Sequence, residues 1–295
     1  MDIKDLLLLK ALAEHQHFAR AAKACNISQP AFSARIQKLE NDLETPIVIR
    51  GRRFAGFTED GERVLAWARK IQADFEGLRQ DLTAAHSALS GHLCIGIIPS
   101  ATPAASDIIH ALYHQFPLIS IEIRSMSSRE IQAGIDDFTL QAGLTYLANE
   151  PLHQVRTLPL FDETYRLVGT PEILSALPEQ PGWKEAATLP LCLLTDDMQN
   201  RRILNAAFES AGTRPNPAIV SNSIVNLLSH VRHGGFASIL PERQIDMIDR
   251  TGLQTVPLCN PEISQLVGLA IPERDPVLPI VGALWSIAER HALNR

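Results

Sequence analysis

A serine, a glutamine and a proline in succession at positions 28–30 narrow the possible folds more than any other feature. Serine caps a helix by accepting a backbone hydrogen bond, and proline suits a first turn because its missing N–H has no partner there to lose. The helix that starts here is expected to run to about Leu43. Just upstream, the alanine-rich segment Phe18–Ala24 reads as another helix, stopping at Cys25-Asn26, where asparagine tolerates the left-handed conformation that closes a helix. Before it, Ile3, Leu6, Leu7 and Leu9 recur at helical spacing behind Asp2 as N-cap, with Asp5 in the first turn. Two short helices joined by Cys25-Asn26-Ile27, the second opening on polar residues, form a helix-turn-helix. In such a unit Ala31, Phe32, Ile36, Leu39 and Leu43 supply the packed face. Ser28, Gln29, Pro30, Ser33, Arg35 and Lys38 are then the candidates to meet DNA.

Next, Thr45-Pro46-Ile47-Val48-Ile49-Arg50 reads as a short strand and Gly51-Arg52-Arg53 as a basic turn before Phe54-Ala55-Gly56-Phe57, together a wing. Arginines at a wing tip lie along phosphates or enter a narrow minor groove, which makes Arg50, Arg52 and Arg53 further candidates. The overall charge of -6 argues against a nucleic-acid partner only until its distribution is read. Residues 1–90 hold 13 Lys and Arg against 12 Asp and Glu, so the acidity lies in the remainder, with 14 against 21. From Arg20 to Arg53, seven basic residues face three acidic ones, a compact positive patch.

Phe18-Ala19-Arg20-Ala21-Ala22, Ser28-Gln29-Pro30-Ala31-Phe32-Ser33, Ile36-Gln37-Lys38-Leu39-Glu40 and Phe57-Thr58-Glu59-Asp60-Gly61 together resemble the N-terminal signature of the LysR-type transcriptional regulators. Two departures are visible. Ala34 stands directly after Ser33 where the family usually has arginine, and the wing is about one residue short, so site preference is expected to differ. The resemblance implies a winged helix-turn-helix DNA-binding domain over 1–58, a long linker helix over 59–90, and an effector-binding α/β domain over 91–295. It also implies a homodimer reading an inverted repeat on double-stranded DNA, with tetramers as the further assembly and RNA polymerase as a further candidate partner.

The linker reading also stands on the residues. From Glu59 to about Ser90 there is no proline, and Val64, Ala68, Ile71, Phe75, Leu78, Leu82, Ala85 and Leu89 recur at alternating spacings of 4 and 3. That is a heptad seam, with Arg63, Arg69, Lys70, Asp74, Glu76, Arg79 and Asp81 outside it. A helix packed on its own chain would use the same residues, but so narrow an apolar stripe favours a second helix of a partner chain.

Beyond Gly91, strand-like runs alternate with helical segments, which indicates an α/β domain. Several apparent strands end in hydroxyl residues at helix starts, and ligands of open α/β sheets bind at such ends. Ser100, Thr102, Ser128, Thr145, Thr195 and Ser223 are therefore the candidate effector contacts, although each could equally serve only as a helix cap. A small acid or oxyanion is the expected effector, with Asp196 and Asp197 weighing against a strongly charged one. By resemblance the domain is similar to type 2 periplasmic binding proteins. That implies subdomain I of 92–163 and 267–295, subdomain II of 164–266, and hinges near Phe161–Arg166 and Leu266–Ile271.

Catalysis, metal and cofactor chemistry have no visible support. His110 and His114 have metal-ligand spacing without a third ligand, and no Gly-x-Ser-x-Gly elbow, phosphate loop or dinucleotide fingerprint occurs. Cys25, Cys94, Cys192 and Cys259 lie far apart, which opposes a disulfide framework or structural zinc site and gives a peroxide-sensing pair no support in sequence. No signal peptide or membrane-spanning run is present, so a cytoplasmic protein is expected. A cytosolic small-molecule-binding α/β protein whose N-terminal helices serve only assembly remains the alternative.

Overall fold

The computed structural model describes residues 2–49, 51, 54–84, 89–150, 152–247 and 249–293. It divides into two compact units, one of Met1–Leu89 with Asp136–Thr139 and one of Ser90–Ile135 with Leu140–Arg295.

The first unit holds α1 (Ile3–His15), α2 (Phe18–Ala24), α3 (Gln29–Asp42) and α4 (Glu59–Ala84). Asp2 and Asp5 form a reciprocal capping box at the start of α1. Asn26 closes α2 at φ 55°, and Ser28 caps α3 with Pro30 in its first turn. Leu9, Leu12, Ala21, Phe32, Leu39 and Ile47 form the centre of the core. Phe18 stacks edge-on against Phe32 and Phe54, and Phe54 against Phe57, so aromatic contacts tie the segment after α3 to the helices.

Among the described residues, the expected strand over Thr45–Arg50 shows a single antiparallel bridge, between Val48 and Phe57. The buried Glu40 contributes, because its Oε1 accepts the Ile47 N–H that would have continued the ladder towards Thr58, together with the Val48 N–H on the opposite edge. The linker also departs from expectation. Helix α4 is assigned through Ala84, Leu89 lies outside it, and Ala85 falls outside the described residues. Ser90 and Gly91 already pair with Leu118 and Ile119, which forces the chain out of helix. Along α4 the stripe splits in two. Leu65 and Ala68 are buried, and Val64 and Ile71 pack on the helix-turn-helix core, whereas Phe75, Leu78 and Leu82 are about half exposed.

The second unit runs β1 (Ser90–Ile97), α5 (Thr102–Gln115), β2 (Leu118–Ser125), α6 (Ser128–Asp136), β3 (Ala142–Tyr146), β4 (Val155–Gly169), α7 (Pro171–Leu174), α8 (Trp183–Ala186), β5 (Leu191–Leu194), α9 (Gln199–Ser210), β6 (Ile219–Ser221), α10 (Ile224–Arg232), β7 (Ala237–Pro241), α11 (Glu242–Ile245), β8 (Gln254–Pro257), β9 (Ser264–Pro272) and α12 (Pro279–Leu293). A 3-10 turn, Pro99–Ala101, precedes α5. The strand order is β2-β1-β3-β9-β4-β7-β5-β6, with β8 also on β4. β1 lies parallel to β2 and β3, which requires α5 and α6 as crossovers. The long strand β4 belongs to both halves. Val155–Thr164 pairs with β9, and Tyr165–Gly169 passes to β7 and β8. No helix among the described residues is long and apolar enough to cross a membrane.

Candidate functional site

In the first unit the start of α3 is open to the surface. Ser28, Gln29 and Pro30 are exposed, Ser33 is half-buried, and Gln37 and Lys38 are exposed further along. Gln29, Ser33 and Gln37 line a groove that continues past Ile49, Gly51 and Phe54. Side chains of this kind suit base edges, because amide and hydroxyl groups both donate and accept hydrogen bonds. Arg35 is placed differently. Its Nε and Nη2 donate to Oδ1 of the buried Asp5 at 2.8 and 2.6 Å, which clamps α3 to α1. Arg50, Arg52 and Arg53 lie outside the described residues.

In the second unit a narrow cavity of about 10 Å³ is bounded by the ends of β1, β3 and β5 and the starts of α6, α9 and α10. Ser100, Ser127, Ser128, Tyr146, Gln199 and Asn200 supply its polar wall. Ser128 is 5% and Gln199 3% exposed, and neither Ser128 Oγ nor Gln199 Oε1 has a hydrogen-bond partner. Buried polar atoms left unpaired are costly, so their convergence on one cavity marks a place for a guest that pairs them. Helix α9 starts at the cavity without a side-chain cap.

The other hydroxyl candidates are distributed unevenly. Thr102 and Ser223 line an adjoining groove with Asn222 and Gln244. There Thr102 Oγ1 donates to the carbonyl of Pro99 at 2.7 Å, and Ser223 caps α10. Thr145 is fully buried within β3, opposite Gly268. Thr195 follows β5 with Oγ1 buried and unpaired. Neither threonine lines the cavity or the groove.

Below the cavity floor lies a cluster that the strand-end argument missed. Tyr146 and Tyr165 both donate to Oε1 of Glu163, at 2.6 and 2.8 Å. Burial, then the neighbouring Glu163 carboxylate, holds the Tyr146 phenol well above its usual range, and burial does the same for Tyr165. Both therefore keep their protons and donate. Burial also raises Glu163, opposed by the hydrogen bonds from Tyr146, Ser100 and Tyr165. The signal was legible in β4, where Phe161, Glu163, Tyr165 and Leu167 share one buried face. A carboxylate on such a face calls for partners.

No lysine or arginine lines the cavity among the described residues. Arg201, just inside α9, is committed to the Leu194 carbonyl and the Asn205 amide. Arg202 bonds Glu150 and the carbonyls of Asp196 and Asp197. None of the four cysteines lines it either. Cys192 is fully buried, and burial pushes its thiol up to about 11.

The family model for the LysR substrate binding domain matches residues 86–293, and that for the bacterial regulatory helix-turn-helix protein, lysR family, matches residues 3–62. The chain belongs to the LysR family. It is therefore a DNA-binding transcriptional regulator with an effector-binding domain, and the assembly-only alternative is set aside. Similar proteins include a hydrogen peroxide-inducible genes activator of Pectobacterium carotovorum subsp. carotovorum, 28% identical over 279 residues and covering 94% of this chain and 92% of that protein. The DNA-binding transcriptional dual regulator OxyR of Escherichia coli is 28% identical over 288 residues, covering 94% and 91%. Among solved structures, a full-length OxyR cysteine variant from Pseudomonas aeruginosa matches with TM-score 0.77 at 24% identity, covering 99% of this chain and 95% of that one. Full-length CbnR complexed with its target DNA matches with TM-score 0.71 at 18% identity, covering 99% and 100%. These structures share the fold, including the periplasmic-binding-protein-like α/β architecture of the LysR effector domain.

Proposed function

We propose that this regulator works in the cytoplasm as a homodimer or tetramer on an inverted repeat, and that a small acid or oxyanion in the Ser100–Ser128–Gln199 cavity controls it. The observation that carries the effector reading is the pair of unpaired buried atoms, Ser128 Oγ and Gln199 Oε1, facing one cavity at the starts of α6 and α9. Helix N-termini favour negative charge, and hydroxyls complete the hydrogen bonding. With no cation on the wall, a single negative charge is the most that such a site holds. In this reading subdomain I comprises 92–163 and 267–295, subdomain II comprises 164–266, and β4 is one of the strands connecting them. A ligand gripping both halves shifts the regulator by its difference in affinity for two arrangements.

On DNA, Gln29 and Ser33 read base edges, Lys38 with Arg50, Arg52 and Arg53 meets phosphates, and Phe75, Leu78 and Leu82 of α4 cover their counterparts on a second chain. Half-exposed large apolar side chains at heptad spacing support that seam.

The Pectobacterium relative carries hydrogen peroxide in its name, but three of the four thiols of this chain do not favour that chemistry. Burial raises the Cys25, Cys94 and Cys192 thiols, and the thiolate is the form that reacts. Reversible ligand binding is therefore the proposed signal. Operator binding measured by fluorescence anisotropy, with acetate, glycolate, propionate, lactate or phosphate and separately with hydrogen peroxide, tests it. A change in operator affinity with at least one acid and none with peroxide is expected. The opposite pattern overturns the reading.

A further inference from the structure

Glu163 does not itself line the cavity, yet it controls what one wall residue can do. It sits on β4 opposite Gln265 of β9, two residues before Tyr165 pairs with Pro241 of β7. Its Oε1 takes the phenolic protons of both Tyr146 and Tyr165. A phenol has one proton, so once Tyr146 donates to Glu163 it can offer only lone pairs elsewhere. The contacts available to those lone pairs are long. Ser100 Oγ lies 3.4 Å away and Asn200 Nδ2 3.5 Å, whereas a good O–H···O bond spans about 2.7–2.8 Å, and the Tyr165 hydroxyl has already given its one proton to Glu163. Tyr146 thus presents an underused acceptor to the cavity it lines. Gln199 adds a second, because its Nε2 already donates to the carbonyl of Ala148 at 3.0 Å while its Oε1 has no donor.

The cavity is consequently two-sided. At the starts of α6 and α9 it offers donors, the hydroxyl of Ser128 on α6 and the N–H groups of α9, which no side chain caps. Around Tyr146 and Gln199 it offers acceptors. A bare carboxylate pairs only the first side and turns its lone pairs towards the second, where acceptor faces acceptor above a buried carboxylate.

Resting on the small-acid reading above, we infer that Glu163 is a specificity-determining positioning residue: through Tyr146 it makes the site select acids that carry their own hydrogen-bond donor beside the charge, such as 2-hydroxy acids, over the same acids without the hydroxyl. Tyr146 is the residue that touches the ligand, and Glu163 acts through it.

The test compares matched pairs, glycolate with acetate and lactate with propionate, by calorimetric titration of the full chain. In the wild type each hydroxy acid binds roughly threefold to tenfold tighter than its partner, the size of one net hydrogen bond. Tyr146→Phe, which keeps the ring, brings the ratio close to one while leaving acetate and propionate affinity nearly unchanged. Glu163→Gln, whose amide can donate to Tyr146 and free its proton for the ligand, also lowers the ratio. A general structural defect would weaken both members of a pair alike and leave the ratio intact. Equal wild-type affinities within pairs, or a ratio that survives both substitutions, overturns the inference while the small-acid reading stands. Failure of all four acids and phosphate to bind overturns both.

Discussion

Arg35 carries a prediction that separates a base- or phosphate-contacting role from a structural one. Asp5 is 2% exposed, and the two arginine nitrogens on its Oδ1 are its main compensation, the other contact being the Asp2 N–H on Oδ2 at 3.1 Å. Replacing Arg35 by methionine keeps an apolar stem for packing but strands the carboxylate. Removing one partner of a fully buried pair costs about 3–5 kcal/mol. The Arg35 side chain is 34% exposed, so water can enter the vacated space, which brings the expected loss down to about 2–3 kcal/mol. In native-state hydrogen exchange on the full chain that corresponds to roughly 30- to 150-fold faster exchange of the protected amides of α1 and α3, if they open together. The variant's affinity for a non-specific duplex should meanwhile keep the wild-type dependence on salt, because no phosphate contact has been removed. Unchanged exchange together with a salt slope reduced by about one would refute the clamp and return Arg35 to the DNA backbone.

Leu78→Asp combined with Leu82→Asp should abolish one association step in sedimentation of the full chain and reduce a two-half-site operator to single-half-site affinity; Ile71 is unsuitable for this test because it packs on the core of its own chain. Gly61→Ala should loosen the segment after α3, since a Cβ there collides with the Ile47 carbonyl, and a fall of several degrees in the first melting transition is the expected reading. Burial lifts the Cys192 thiol from 9.0 to about 11, so the folded chain holds that proton more tightly than the unfolded one. The associated stability is complete below pH 9 and is lost as pH rises through 11, about 2–3 kcal/mol in all. Urea denaturation between pH 8 and pH 11 should show that loss in the wild type and a shallower one in Cys192→Ala.

Local chemistry made the first unit readable from sequence. Asp2, Asn26, Ser28 and Pro30 act on backbone groups within a few residues of themselves, so the helix boundaries they imply survive any tertiary context, and α2 spans the expected Phe18–Ala24. Alternating strand and helix patterns likewise identified the α/β class, because periodicity reports which face is buried without reference to what buries it. Pairings across the fold were not legible. Glu40 reaches forward to the Ile47 and Val48 amides and so limits the ladder beside Phe57, and Arg35, expected to meet DNA, pairs with Asp5, thirty residues away. At the strand ends a serine or threonine looks the same in sequence whether it caps a helix, as Ser223 does, or faces a cavity unpaired, as Ser128 does. The meeting of Tyr146 with Glu163 depends on β9 lying between β3 and β4. Sequence determined the helices because their hydrogen bonds close within each segment, and the strands only through the period of their burial; the site belongs to the tertiary structure because its hydrogen bonds join segments that only the sheet order brings together.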